Sequence, residues 1–186
     1  TENQLQILLC ELAAYLHNKD MEINVWDQII AFEGRMHEFI KAAYDYQDNT
    51  FHSHPGYYID YFEMRLAQLQ VLHNLHYEIK KIRKMPKQAL VIADYIMYMA
   101  DYVVEMNIPD QQIEKLEEIS EQMKQEELPK TREEFEGRAL LYHILMDLEE
   151  FLVYKKRFVN GLDEKKLRIY WKQEMEQKDS ANELQK

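Results

Sequence analysis

Apolar residues recur along this chain at intervals of three and four, the period of an amphipathic helix, and they divide it into seven segments. The first helix is predicted from about Glu2 to His17, on a stripe of Leu5, Leu8, Leu12 and Leu16. Asn18-Lys19-Asp20 breaks it. Asn24 and Asp27 read as the cap and first-turn acid of a second helix with the stripe Trp26, Ile29, Ile30, Met36, Phe39, Ile40 and Ala43. The polar cluster Asp48-Asn49-Thr50 ends it, and Phe51-His52-Ser53-His54-Pro55-Gly56 is the clearest loop. A third helix is predicted from about Tyr58 to Arg83, with Phe62, Leu66, Leu69, Leu72, His76 and Ile79 inward. Pro86 reads as the first residue of a fourth, whose stripe runs Ile92, Ile96, Met99, Val103 and Met106. Pro109 stops it, and Asp110 starts a fifth carrying Ile113, Leu116, Ile119 and Met123.

Pro129 ends the fifth helix, and Thr131-Arg132-Glu133-Glu134 is a capping box that opens a long sixth. Its stripe passes through Phe135, Leu141, Leu145, Leu148, Leu152 and Tyr154, and Asn160-Gly161 reads as a left-handed C-cap. A short seventh helix carries Leu167, Tyr170 and Trp171. The domain is therefore expected over residues 1–172, with a polar tail over 173–186. The second, third and sixth helices span roughly 40 Å each at 1.5 Å per residue. Short loops make sequential helices antiparallel neighbours. The fold class is all-α: an elongated antiparallel bundle of six main helices plus a short C-terminal one.

Two of the four glycines interrupt this helical pattern in the same tetrapeptide. Phe32-Glu33-Gly34-Arg35 recurs as Phe135-Glu136-Gly137-Arg138. Glycine costs about 1 kcal/mol relative to alanine inside a helix, and close approach of another element is one physical reason to keep it. The expectation is a crossing of the second and sixth helices at Gly34 and Gly137, with Glu33 facing Arg138 and Arg35 facing Glu136.

Composition agrees with the pattern. Four glycines and four prolines in 186 residues are too few for the turns of a sheet protein. The net charge of -11 excludes an electrostatic nucleic-acid partner. Much of it lies between Glu105 and Glu136, as a solvated helix face. Cys10 is the only cysteine and reads as a small core residue. No signal peptide is visible, and no apolar run reaches about 20 residues without charge. The start at Thr1, without an initiator methionine, suggests excision from a longer protein.

Candidate chemistry is sparse. The seven histidines include no Glu-x-x-His and no His-Glu-x-x-His. Glu33 with His37, His73 with His76, and His52 with His54 are pairs, and two ligands do not make a metal site. No nucleophile stands beside a base and no glycine-rich phosphate loop exists, so neither an enzyme nor a cofactor is expected. Thirteen tyrosines remain, clustered at Tyr44, Tyr46, Tyr57, Tyr58 and Tyr61 and again at Tyr95, Tyr98 and Tyr102. They read either as core and rim packing or as the wall of a pocket for a flat ring. Arg35, Arg65 and Arg138 sit in apolar helix patterns, where they either pair with glutamates such as Glu33, Glu63 and Glu136 or hold a ligand carboxylate.

Two stretches carry a family resemblance. One is Asp20-Met21-Glu22-Ile23-Asn24-Val25-Trp26 followed by Phe32-Glu33-Gly34-Arg35-Met36, and the other runs from Leu128-Pro129-Lys130-Thr131 through Phe135-Glu136-Gly137-Arg138 to Leu148. They resemble the C-terminal domain of the putative aromatic acid exporter family of bacterial membrane proteins, over the span from the first helix to about Trp171. In that family a multi-pass membrane region precedes a soluble, helical, cytoplasmic domain. The resemblance implies an accessory domain on the cytoplasmic side of a cell-membrane exporter, with a regulatory, ligand-sensing or self-associating role. Its partners would be the membrane region of the same polypeptide, a second copy, or a small aromatic acid. The alternative is a freestanding helical interaction module. The ligand site expected from these readings places Arg35 or Arg138 on a carboxylate, with His37 or His143 against the ring.

Overall fold

Among the described residues seven helices form and no strand does. The computed structural model describes residues 1–18, 24–49 and 55–171. Of the expected loop at 51–56, residues 51–54, with His52 and His54, lie outside those residues, as does the expected tail at 173–186, whereas Pro55 and Gly56 open the third helix. The elements are α1 (Glu2–His17), α2 (Val25–Asn49), α3 (Pro55–Lys81), α4 (Ala89–Ala100), α5 (Asp110–Lys124), α6 (Arg132–Asn160) and α7 (Glu164–Tyr170).

Three antiparallel pairings build the bundle. α2 lies along α3, with Trp26 against His73 at one end and Phe39 against Phe62 further along. α3 lies along α6, where Gln68 reaches Phe151 and Tyr57 meets Phe158. α1 lies along α4, with His17 beside Asp94 and Glu2 beside Glu105. Chain neighbours therefore pair in α2–α3, but the main partner of α1 is α4 rather than α2. The reason is burial: α1 turns Leu5, Leu8, Leu9, Leu12, Ala13 and Leu16 inward, and α4 answers with Ile92, Ala93, Ile96 and Met99. Each fully buried leucine contributes about 2 kcal/mol over exposure.

The capping box at Thr131 forms in an altered version. Thr131 Oγ1 accepts from the Glu134 N–H at 3.1 Å, while Glu134 reaches back to the Lys130 N–H at 2.9 Å. Elsewhere the structure departs from the simple pattern. α2 buries Val25, Ile29, Phe32 and Met36, and leaves Trp26, Ile30 and Phe39 largely exposed. α4 stops at Ala100 and does not continue through Val103 and Met106, and Pro86 lies in the turn before it. Gly161 ends α6 at φ -80°, ψ -9°, so the cap is right-handed and its N–H bonds Arg157 O and Phe158 O.

Candidate functional site

The residues expected at a glycine crossing do not meet. A Cβ on Gly34 would find nothing within 4 Å, so no other helix packs there. Gly137 is the close approach, to a different partner: a Cβ there would lie 2.9 Å from Pro86 Cγ and 3.3 Å from the Lys84 carbonyl oxygen. The expected pairs Glu33–Arg138 and Arg35–Glu136 are corrected accordingly. Glu136 pairs with Arg132, one turn away in α6, at 2.9 Å. Arg138 pairs with Glu134 at 2.7 Å and donates to the Glu127 carbonyl. Helical neighbours four apart satisfied these charges before a distant helix could.

Arg138 is thus engaged in holding the start of α6. Arg35 lines a shallow groove of about 280 Å³ between α1 and α2, beside Gln4, Ile7 and Gln28, with its guanidinium 5.6 Å from the Phe32 ring centre. Its Nε has no hydrogen-bond partner. His37 and His143 are exposed. Among the described residues Phe32 is the only aromatic side chain lining the Arg35 groove.

The polar and aromatic groups that do converge are elsewhere, where α3, α6, α7 and the 101–109 turn meet. Arg65 is 1% exposed and fully partnered. Its Nε donates to Tyr61 Oη at 3.2 Å, one Nη to Gln68 Oε1 at 2.8 Å, and the other to Val103 O. Gln68, equally buried, passes its amide N–H to Phe151 O on α6 at 2.9 Å. Lys155 is 4% exposed and donates to the carbonyls of Val104 and Glu105. These contacts explain why α4 stops at Ala100. Carbonyls 103 to 105 are turned out of the helical ladder to receive two buried cations from neighbouring helices.

Rings enclose the cations. The Lys155 ammonium lies 5.4 Å from the Phe158 ring centre, 5.8 Å from Trp171 and 6.0 Å from Tyr61. Tyr57 stacks on Tyr170 at 3.9 Å and 9°. Trp171 Nε1 donates to Tyr57 Oη at 3.1 Å, and Tyr57 donates to Glu105 Oε1 at 2.5 Å. Glu2, in the first turn of α1, accepts from the Glu105 N–H and, at 3.4 Å, from Tyr61 Oη. A void of only about 10 Å³ remains beside Arg65 and Lys155, room for no more than one water.

The burial is electrostatically expensive. Desolvation and then the Arg65 charge push Lys155 down from 10.5 to about 7, against the pull of Glu105 and Glu2. Desolvation and the Glu105 hydrogen bond hold the Tyr57 phenol well above its ordinary range. Asp147, further along α6, rises from 3.8 to about 6 through desolvation and the nearby Glu78 and Glu150. Desolvation lowers His76. Among the described residues no three His, Cys, Asp or Glu side chains converge as metal ligands would.

The sequence reading singled out Arg65, Tyr57 and Tyr61 but missed Lys155. The signal was present: Lys155 follows Leu141, Leu145, Leu148 and Leu152 on the buried stripe of α6. A lysine on such a stripe is either snorkelling or buried, and the adjacent Lys156 and Arg157 made it look like solvated surface.

The architecture and the node define an all-helical domain in which, among the described residues, no helix is long and apolar enough to cross a membrane. The chain belongs to the family described as the "Putative aromatic acid exporter C-terminal domain", which matches residues 1–156. That family is not an enzyme family, and its description places such domains at the C-terminus of putative aromatic acid exporters. A curated relative, "Uncharacterized protein YqjA" of Bacillus subtilis (strain 168), is 26% identical over 162 residues, 84% of this chain and 48% of that protein. The chain thus spans about half the length of that relative. A solved structure described as "Crystal structure of putative membrane protein from Clostridium difficile 630" is similar, with a TM-score of 0.74 and 25% identity over 84% of this chain and 93% of that one.

Proposed function

We propose that this domain is the cytoplasmic accessory element of a bacterial aromatic acid exporter, joined through α1 to a membrane region that precedes it, and that it senses cytoplasmic solute and biases that region. The observation that carries the reading is the link from Glu2, in the first turn of α1, to Glu105 and Tyr61 in the buried node. A change in the node is transmitted to α1 through that contact, and α1 is the element nearest the preceding region. The family match and the half-length coverage of the B. subtilis relative support the presence of such a region.

The test is export by the full-length protein. Cells carrying the full reading frame are loaded with 4-hydroxybenzoate, and its efflux is compared with that of cells in which residues 1–186 are deleted. The reading expects the membrane region to remain inserted and efflux to lose its dependence on internal solute concentration. Efflux unchanged in rate and dependence after deletion would contradict it. A reading frame without hydrophobic spans upstream of Thr1 would favour the freestanding interaction module instead.

A further inference from the structure

α7 covers a great deal for a helix so weakly built. It has seven residues, none of them buried. Its ties to the rest of the bundle include the Lys166–Asp60 pair at 3.7 Å and the side chains at its end. Yet Tyr170 lies flat on the buried Tyr57 ring, and Trp171, 5% exposed, closes the space above Lys155. Beneath Trp171 lies the Lys155 ammonium, and Arg65 lies further in, 5.1 Å from the Tyr61 ring centre. Among the described residues neither Arg65 nor Lys155 has a carboxylate within ion-pair distance, and carbonyls receive Lys155 instead. The family match ends at residue 156, so α7 lies beyond the part of the domain that the family describes.

We infer that the face now covered by Tyr170 and Trp171 is a binding site for a small aromatic carboxylate, and that the end of α7 occupies it in the ligand's place. This rests on the sensing role proposed above. The chemistry of the face is specific. Tyr57 offers a flat surface already used for stacking at 3.9 Å, with Tyr61 and Phe158 beside it. A ring in the position of the indole puts its substituent within reach of an ammonium 5.8 Å from the present ring centre. The Tyr170 phenol stacks on Tyr57 and the Trp171 indole lies near Lys155, but neither brings a negative charge. Glu105 and Glu2 act on Lys155 only from beyond ion-pair distance, whereas a ligand carboxylate would be a direct partner, and its pairing with Lys155 would be a charge-assisted hydrogen bond in a dry site. Self-occupancy by α7 lowers the apparent affinity by the fraction of time that the face is covered. Ligand entry would expel α7 and alter the hydrogen bonds from Tyr57 to Glu105 and from there to Glu2. That gives the node two discrete arrangements, which coupling requires.

Titration calorimetry on the whole chain tests this. The probes are 4-hydroxybenzoate, benzamide as a ring without charge, and cyclohexanecarboxylate as a charge without a flat ring. The Tyr170→Ala/Trp171→Ala double variant is expected to bind 4-hydroxybenzoate at least tenfold tighter than wild type and to ignore both controls. Adding Lys155→Met is expected to remove that gain. Tyr170→Ala alone takes away only the stacked ring and keeps the test open if the double variant misfolds. In a Trp26→Phe background Trp171 is the sole indole, and its emission should shift on titration of the otherwise unaltered chain. Equal affinity with and without the α7 rings, or affinity indifferent to Lys155→Met, overturns the inference. Binding that instead depends on Arg35 would leave the sensing role intact at another site, whereas absence of any binding at millimolar probe removes this site. The sensing role is judged separately, by the efflux comparison.

Discussion

Two glycines in identical tetrapeptides should respond in opposite directions to the same substitution. Replacing a helical glycine by alanine gains about 1 kcal/mol of helix propensity. At Gly34 nothing lies within 4 Å of the new methyl, so Gly34→Ala should keep the whole gain and raise the melting temperature by about 2–4 °C in a chain of this size. At Gly137 the methyl would lie 2.9 Å from Pro86 Cγ and 3.3 Å from the Lys84 carbonyl oxygen. An ordinary carbon contact needs roughly 3.5 Å or more, so the neighbours must retreat by about half an ångström. They are poorly placed to do so. Pro86 is a ring whose own carbonyl accepts from the Ala89 N–H at 3.0 Å, and the other neighbour is backbone. Overpacking of this kind costs about 1–3 kcal/mol, which cancels or exceeds the helical gain. Gly137→Ala should therefore be neutral to about 2 kcal/mol destabilised, and the two variants should differ by about 1–3 kcal/mol. Urea unfolding with a common m-value measures the difference. Equal stabilisation by both substitutions would refute the packing argument at Gly137.

Other expectations follow from the electrostatics and the caps. Lys155 holds its proton less tightly folded, at about 7, than unfolded, at 10.5, so stability should rise with pH between these values. The rise should be about 2 kcal/mol from pH 7 to 9, and urea melts of Lys155→Met over that range should be flat by comparison. Asp147 is shifted the other way, from 3.8 up to about 6, so its stabilising contribution is present below pH 4 and lost as pH rises through 6. Asp147→Asn should match wild type in melting temperature at pH 4 and exceed it at pH 7. Thr131→Ala removes the acceptor of the Glu134 N–H and should cost about 1 kcal/mol in urea unfolding. Chelators should leave the melting temperature of the purified domain unchanged, and a metal-dependent shift traced to His73 and His76 would contradict that.

The helices were legible in the sequence because their signals are local. Period, proline, capping box and acidic first turns act within a few residues of one another. The all-α class and the seven segments follow from them. Partner choice was not legible, because ridge packing of α1 on α4 depends on which faces remain open after α3 has paired with α2 and α6. The glycine repeat misled for a related reason. Identical tetrapeptides fix the same backbone freedom but not the same neighbour, and Gly137 met a turn while Gly34 met open space. The end of α4 was hidden because its cause lies in Arg65 and Lys155, roughly 40 to 50 residues away in sequence. The same distance hid the node, although Tyr57, Tyr61, Tyr170 and Trp171 each stand out in the sequence.

In the proposed sensing role the buried node reports cytoplasmic aromatic acid to an attached membrane region. Efflux of 4-hydroxybenzoate by the full-length protein, measured against internal concentration in wild type and in Lys155→Met, tests it most directly. The substitution is expected to shift the concentration of half-maximal efflux upward while protein level and membrane insertion stay the same. Superimposable efflux curves would contradict it.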